Sequence, residues 1–377
     1  MKFLNYIFIG LMTLVVVTGI VGCGNDDDMT MNPVEDDFDR KAMLTFWADD
    51  IIIPGYDNYL SAMDDLDAAV SSFYDAPEQA NLDALRMAWL EAYKKWQKIS
   101  MFAIGKAESE DLRGFTNTFP TDVDLIMESI NGDIYNLDLP SNRKAQGFPA
   151  LDYLLFGTAN QDSEIIALLT EDKYKNYFLD IIAQMDGKAT AVTEDWKNGY
   201  REEFINNNGS SETASVDKMV NDFVMYYEAF LRSGKIGFPA GTVSGQALPG
   251  NVEAPYSGIY SRTLLNEALD AVQDFFNGIS TIDGSQGQSL SAYINSLEEM
   301  LEEDQKGLVA DVNDQWGVAR SLIEGLNENL RQQVEDDNIK MLFVYDELQK
   351  VVPLIKVDMY QILSVKLDFF DGDGDGA

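Results

Sequence analysis

Between residues 82 and 99 the apolar side chains Leu82, Leu85, Trp89, Ala92, Trp96 and Ile99 recur in alternating steps of three and four. Only an α-helix gathers such a spacing into one continuous stripe, and a stripe of that width must be buried against other elements. The chain supplies them in kind. Met43, Trp47, Ile51, Tyr59, Met63, Leu66, Val70 and Phe73 follow helical spacing with an interruption at Pro54-Gly55. The same periodicity predicts helices at 163–169, 173–197 and 215–233, then at 259–277, 288–304, 308–331 and 335–367. Gly234 reads as the stop of the 215–233 helix. The expectation is an all-α protein of two helical-bundle domains, 36–240 and 259–368, joined by a linker at 241–258, a plan that an ancient duplication would fit. The tryptophans on these stripes are expected in the core, because large aromatics dominate burial.

What the chain lacks limits its chemistry. Its 377 residues include no histidine and one cysteine, Cys23. That removes the Ser-His-Asp triad, the Cys-His pair, imidazole- or thiolate-based zinc sites and any intrachain disulfide. Carboxylate chemistry, Ser-Lys chemistry or none remains. With 27 basic against 64 acidic residues the formal charge is −37, a surface that repels nucleic acid and attracts cations and basic partners. Nucleic acid is therefore not an expected partner.

At the N-terminus, Lys2 precedes the apolar run from Phe3 to Val21, and Ile20-Val21-Gly22-Cys23 has the form of a lipobox. Residues 1–22 read as a lipoprotein signal peptide, with Cys23 receiving the lipid anchor and 23–35 forming an acidic tether. Gly24-Asn25-Asp26-Asp27-Asp28 is similar to the lipoprotein export signals of Bacteroidetes, which implies an outer-membrane lipoprotein of the cell envelope exposed at the surface. At the other end, 369–377 reads as a solvated acidic tail. Its residues 371–376 match the first half of a calcium loop but lack the distal bidentate glutamate.

One stretch carries chemistry within this frame. Gly147-Phe148-Pro149-Ala150-Leu151-Asp152-Tyr153-Leu154-Leu155-Phe156-Gly157 is apolar, closed by glycine at both ends, and holds a single carboxylate. Pro149 suits a first helical turn, and Leu151, Leu154 and Leu155 commit one face to the core, with Asp152 beside it. Upstream, 105–147 is irregular, with one short helix expected after Pro120, where Thr121 and Asp124 imitate a capping box. Arg143 and Lys144 are positive charges placed to neutralise Asp152, bind an anion or stand in solvent. Lys235 faces a cleft or complements a helix C-terminus.

The 147–157 stretch resembles the hallmark of the imelysin family, Gly-x-His-x-x-Glu followed by an apolar run. Gly147 stands at the glycine, Pro149 at the histidine and Asp152 at the glutamate. Gly234-Lys235-Ile236-Gly237 and the stretch from Val352 to Met359 are similar to segments of the Bacteroidetes branch of that family. The resemblance implies iron-regulated envelope proteins classed with the metallopeptidases, and a metal shared by imidazole and carboxylate; proline ligates nothing.

The function expected from these observations is a non-catalytic binding lipoprotein associated with iron or nutrient acquisition. Gly147, Phe148, Pro149, Asp152, Arg143 and Lys235 would line a cleft near the domain junction. Asp152 would be the metal ligand if carboxylates hold a divalent cation or iron, and a small molecule, a metal or a peptide would be the ligand. The alternatives are a carboxylate-dependent metallopeptidase, and a structural lipoprotein in which Asp152 is buried against an arginine or a backbone N–H with no cavity beside it. No catalytic residue is assigned.

Overall fold

The structure is a computed structural model and describes residues 37–132, 134–303 and 306–367. The signal peptide, Cys23, the acidic tether and the calcium-loop-like tail fall outside them. As the periodicity predicts, the described residues form helices and connecting loops with no strand, and a single isolated bridge joins Ile279 to Gln286.

Helix α1 (Arg40–Phe46) is capped by Asp39, whose carboxylate accepts the Ala42 N–H at 2.9 Å. It passes through a widened, π-type turn at Trp47–Ile52 into α2 (Ile53–Asp75). Pro54 does not break α2. The helix runs through it from the widened turn just before, and the carbonyl of Asp50 accepts the Thr281 N–H at 2.8 Å instead of a helical partner. In α3 (Gln79–Ile99) every member of the 82–99 stripe is buried.

The irregular region from 105 holds more helix than its composition suggests: α4 (Lys106–Ser109), α5 (Leu112–Thr116) and α6 (Val123–Asn131), then a 3-10 turn at Pro140–Ala145. The cap of α6 is Asp122, which accepts the Leu125 N–H at 3.0 Å, and not Thr121, whose hydroxyl donates to the Lys144 carbonyl at 2.7 Å. The motif forms α7 (Gly147–Asp152) and a widened turn at Tyr153–Gly157. Next come α8 (Asp162–Leu169), α9 (Asp172–Asp195), α10 (Arg201–Asn206) and α11 (Ser215–Met225). Gly234 is not a stop. Widened turns at Tyr226–Gly237 carry α11 on into α12 (Phe238–Ala240). The chain turns at Gly241, whose φ is +84°; a Cβ there would lie 2.2 Å from the Gln246 carbonyl oxygen.

The remaining long helices are α13 (Ser261–Asn277), α14 (Leu290–Glu298), α15 (Leu308–Glu324) and α16 (Leu330–Gln349). Here the expected 308–331 helix stops short, because Asn329 caps α16 by accepting the Gln332 N–H at 3.1 Å. The expected long helix to 367 breaks after Gln349 into short turns.

Helix α3 is the spine. α2 lies along one side of it and α13 along another, so elements from both halves of the sequence meet on one helix. From Phe38 onward the chain forms one compact unit. A single apolar core runs from Met43 to Val365 and contains Trp47, Trp89, Trp96, Trp196 and Trp316. Residues 241–258 therefore connect halves that share a core, and the site is built from the first of them together with this connecting segment.

Candidate functional site

Position 147 is glycine by necessity. Its φ is +74°, and a Cβ would lie 2.2 Å from the carbonyl oxygen of Thr116, so the start of α7 is pressed against the end of α5. Phe148 is buried and stacks on Tyr93 of α3 with ring centroids 4.3 Å apart and planes 7° from parallel. The Trp89 indole N–H donates to the Phe148 carbonyl at 3.3 Å. Pro149 is buried in the first turn of α7. Asp152, 0% exposed, accepts the backbone N–H of Tyr256 at 2.8 Å and that of Ser257 at 2.9 Å. Burial pushes its pKa up to about 7; the Tyr256 and Ser257 hydrogen bonds pull the other way, and the Glu253 charge adds to the rise. Farther on, Arg86 of α3 donates through Nε and Nη2 to the Leu155 carbonyl at 3.1 and 2.8 Å, pairs bidentately with Asp162, and lies over the Phe156 ring at 4.6 Å.

Behind the motif stands a residue that the sequence did not nominate. Glu253, 2% exposed, accepts from the Tyr93 hydroxyl at 3.0 Å, Gln97 Nε2 at 2.9 Å and Asn117 Nδ2 at 2.8 Å, and it pairs with the Lys235 ammonium group. Lys235 also donates to Gln97 Oε1 at 3.0 Å. Lys235 thus faces neither a cleft nor a free helix end: at 3% exposure it sits inside the protein, where burial drives its pKa down and Glu253 opposes the drop. A buried pair survives only when hydrogen bonds replace the lost water, and the side chains around Glu253 supply them. The available signal was charge scarcity, since Lys235 and Glu253 are the only charged residues from 235 to 255.

Arg143 is separated from this hub. It pairs with Asp111 instead of Asp152, lies 5.5 Å from the centre of the Phe115 ring, and lines a cavity of about 800 Å³ bounded by α4, α5, the 3-10 turn at Pro140–Ala145 and α11. Arg113, which the sequence also left unmarked, crosses the same cavity wall. Its Nε donates to the Ser100 carbonyl at 2.7 Å and its Nη2 to both oxygens of Asp222, at 3.0 and 3.1 Å. Asp222 in turn accepts the Ala103 N–H at 2.6 Å, and burial raises its pKa against the pull of Arg113. Asp152 does not line this cavity. The structure thus brings together Gly147, Phe148, Pro149, Asp152 and Lys235 in the interior and places Arg143 apart from them, beside Asp111 and Phe115 at the cavity.

The interior set does not fit a catalytic metal. Both oxygens of Asp152 are occupied by backbone N–H groups, Glu253 is taken by Lys235, and proline occupies the place of an imidazole. Among the described residues no group of three His, Cys, Asp or Glu side chains is placed to hold an ion. The arrangement can do something else well: it ties α7 to the 253–257 segment and α3 to Lys235.

Fold and site together define a helical protein with one core, organised around a glycine-closed apolar motif whose polar atoms point inward. The chain belongs to the imelysin family, whose model, described as Imelysin, matches residues 52–351. It is 28% identical over 170 residues to iron-regulated protein A of Synechococcus elongatus, a match spanning 44% of this chain and 44% of that protein, under half of its length. Among solved structures it shares its fold with a protein described as an iron-regulated protein A precursor from Parabacteroides distasonis ATCC 8503. There the TM-score is 0.69 at 17% identity, over 86% of this chain and 95% of that one. An imelysin-like protein from Psychrobacter arcticum 273-4 matches with a TM-score of 0.65 at 18% identity, over 88% and 97% of the two chains.

Proposed function

We infer that this chain is a non-catalytic binding lipoprotein of the cell envelope that serves iron acquisition, with its family motif turned to a structural use. One observation carries the non-catalytic part of the reading: the motif carboxylate of Asp152 accepts two backbone N–H groups at 2.8 and 2.9 Å, 0% exposed, beside a proline that cannot ligate. The binding part is supported by the cavity that Arg143 lines, which a purely structural lipoprotein does not need. A hydrolytic metal centre needs open coordination positions and a substrate path, and a carboxylate in that setting offers neither. The iron connection is supported by the name of the cyanobacterial relative. The envelope location rests on the lipobox that ends at Cys23. On this reading the lipid at Cys23 is the anchor; no described helix is long and apolar enough to cross a membrane.

The test is a peptide-hydrolysis assay of the mature chain with zinc, manganese or iron supplied and then chelated. No turnover above background is expected in any condition. Cleavage that chelator abolishes and one metal restores would overturn the reading in favour of a carboxylate-dependent metallopeptidase. Cys23→Ser is expected to abolish labelling by a radioactive fatty acid and release the protein from membranes; retention of the label would contradict the lipoprotein assignment.

A further inference from the structure

The cavity of about 800 Å³ is of small-molecule size. Its charge is unlike the rest of the chain: Arg113, Arg143, Lys144 and Lys218 line it against Glu108, Asp111 and Asp222, whereas acidic residues outnumber basic ones more than twofold overall. Two of these cations are committed, Arg113 to Asp222 and Arg143 to Asp111. The ammonium groups of Lys144 and Lys218 are exposed and form no ion pair with a described residue. Arg113 is 8% exposed and held rigidly. Its Nε and Nη2 are hydrogen-bonded and its guanidinium lies 4.5 Å over the Phe230 ring, yet Nη1 has no partner among the described residues. A fixed N–H edge and two free ammonium groups on three different elements thus border one volume, with Phe230 and Met225 offering apolar surface.

We propose that this cavity binds a small organic polyanion of the polycarboxylate class. The carboxylates meet Arg113 Nη1 and the ammonium groups of Lys144 and Lys218, and the carbon skeleton lies against Phe230 and Met225. Spaced cations suit spaced carboxylates better than one compact anion, and a preorganised guanidinium is the strongest anchor for such a group. The proposal rests on the binding-protein reading and gives it a route to iron that the side chains of the described residues do not. Bare iron finds no cage of three ligands among the described residues. A ferric ion wrapped in a polycarboxylate chelate still presents anionic oxygens to the same three cations. The −37 charge of the chain opposes an approaching anion, but screening confines that field to about 8 Å at physiological salt, so contacts at the cavity decide.

Titration calorimetry of the mature chain with citrate and with ferric citrate tests this. Saturable binding of at least one probe is expected, weakened about tenfold or more in Lys218→Glu and further in Lys144→Glu/Lys218→Glu. Lys340→Glu makes the same charge change outside the cavity and should bind as wild type does. Equal affinity for the two probes identifies the free anion as the ligand, and preference for ferric citrate identifies the chelate; either supports the site. Binding of neither probe, binding that Lys218→Glu leaves unchanged, or equal losses in Lys218→Glu and Lys340→Glu overturns it. Failure of binding without peptide hydrolysis defeats this site alone, whereas metal-dependent hydrolysis defeats the functional reading.

Discussion

Asp152 is held where two backbone donors favour its ionised form and its burial favours the neutral one, and burial prevails. The folded chain therefore keeps this proton up to about pH 7 while the unfolded chain releases it near pH 4. The stability contributed by that proton is complete below about pH 4 and is lost as the pH rises through 7. Measured by urea unfolding, the stability advantage of wild type over Asp152→Asn, which has no titrating group at the position, should shrink between about pH 5 and pH 8. A gap that stayed constant or widened would contradict the assignment. Lys235 makes the second argument at this scale. Lys235→Met leaves the Glu253 carboxylate buried without its counter-charge and is expected to cost about 3–5 kcal/mol in the same assay, with part of the loss recovered in Lys235→Met/Glu253→Gln. Equal losses in the single and double variants would mean that the pair is not the unit of stability.

At the scale of elements, α7 depends on its contact with α5. Gly147→Ala combines a left-handed backbone with a methyl group driven into the Thr116 carbonyl, so it should destabilise by more than about 2 kcal/mol and lower the melting temperature. An unchanged melting temperature would show that α5 can move aside. The long helices were legible because a six-member stripe such as Leu82 to Ile99 admits only one local geometry. The widened turns at Trp47–Ile52, Tyr153–Gly157 and Tyr226–Gly237 were not, since an extra residue in one turn shifts the apolar stripe without erasing it. Gly234 looked like a terminus for that reason, while the true stop at Gly241 is set by the close approach of the Gln246 carbonyl, a tertiary contact. Phe148, Pro149 and Asp152 could be placed on one short helix from their spacing. Their partners could not: Tyr256 and Ser257 act through backbone N–H groups, which carry no side-chain signature, and Arg113 and Asp222 are 109 residues apart.

At the scale of the molecule, the chain reads as two successive sets of helices, yet α3 and α13 meet in one core and the motif is fastened to the segment that connects them. Asp152 to the 256–257 amides, Lys235 to Glu253, and Tyr93, Gln97 and Asn117 to Glu253 are ties between distant segments. A motif whose relatives are classed with peptidases here has both carboxylate oxygens of Asp152 engaged in tying α7 to the 253–257 segment, and the charged cavity is lined by other residues. The most direct test of that claim is the equilibrium unfolding of Asp152→Ala in urea near neutral pH. Removing the carboxylate strands the Tyr256 and Ser257 amides in the interior, so a loss of about 2–4 kcal/mol in unfolding free energy is predicted. An unfolding curve superimposable on that of wild type would contradict it.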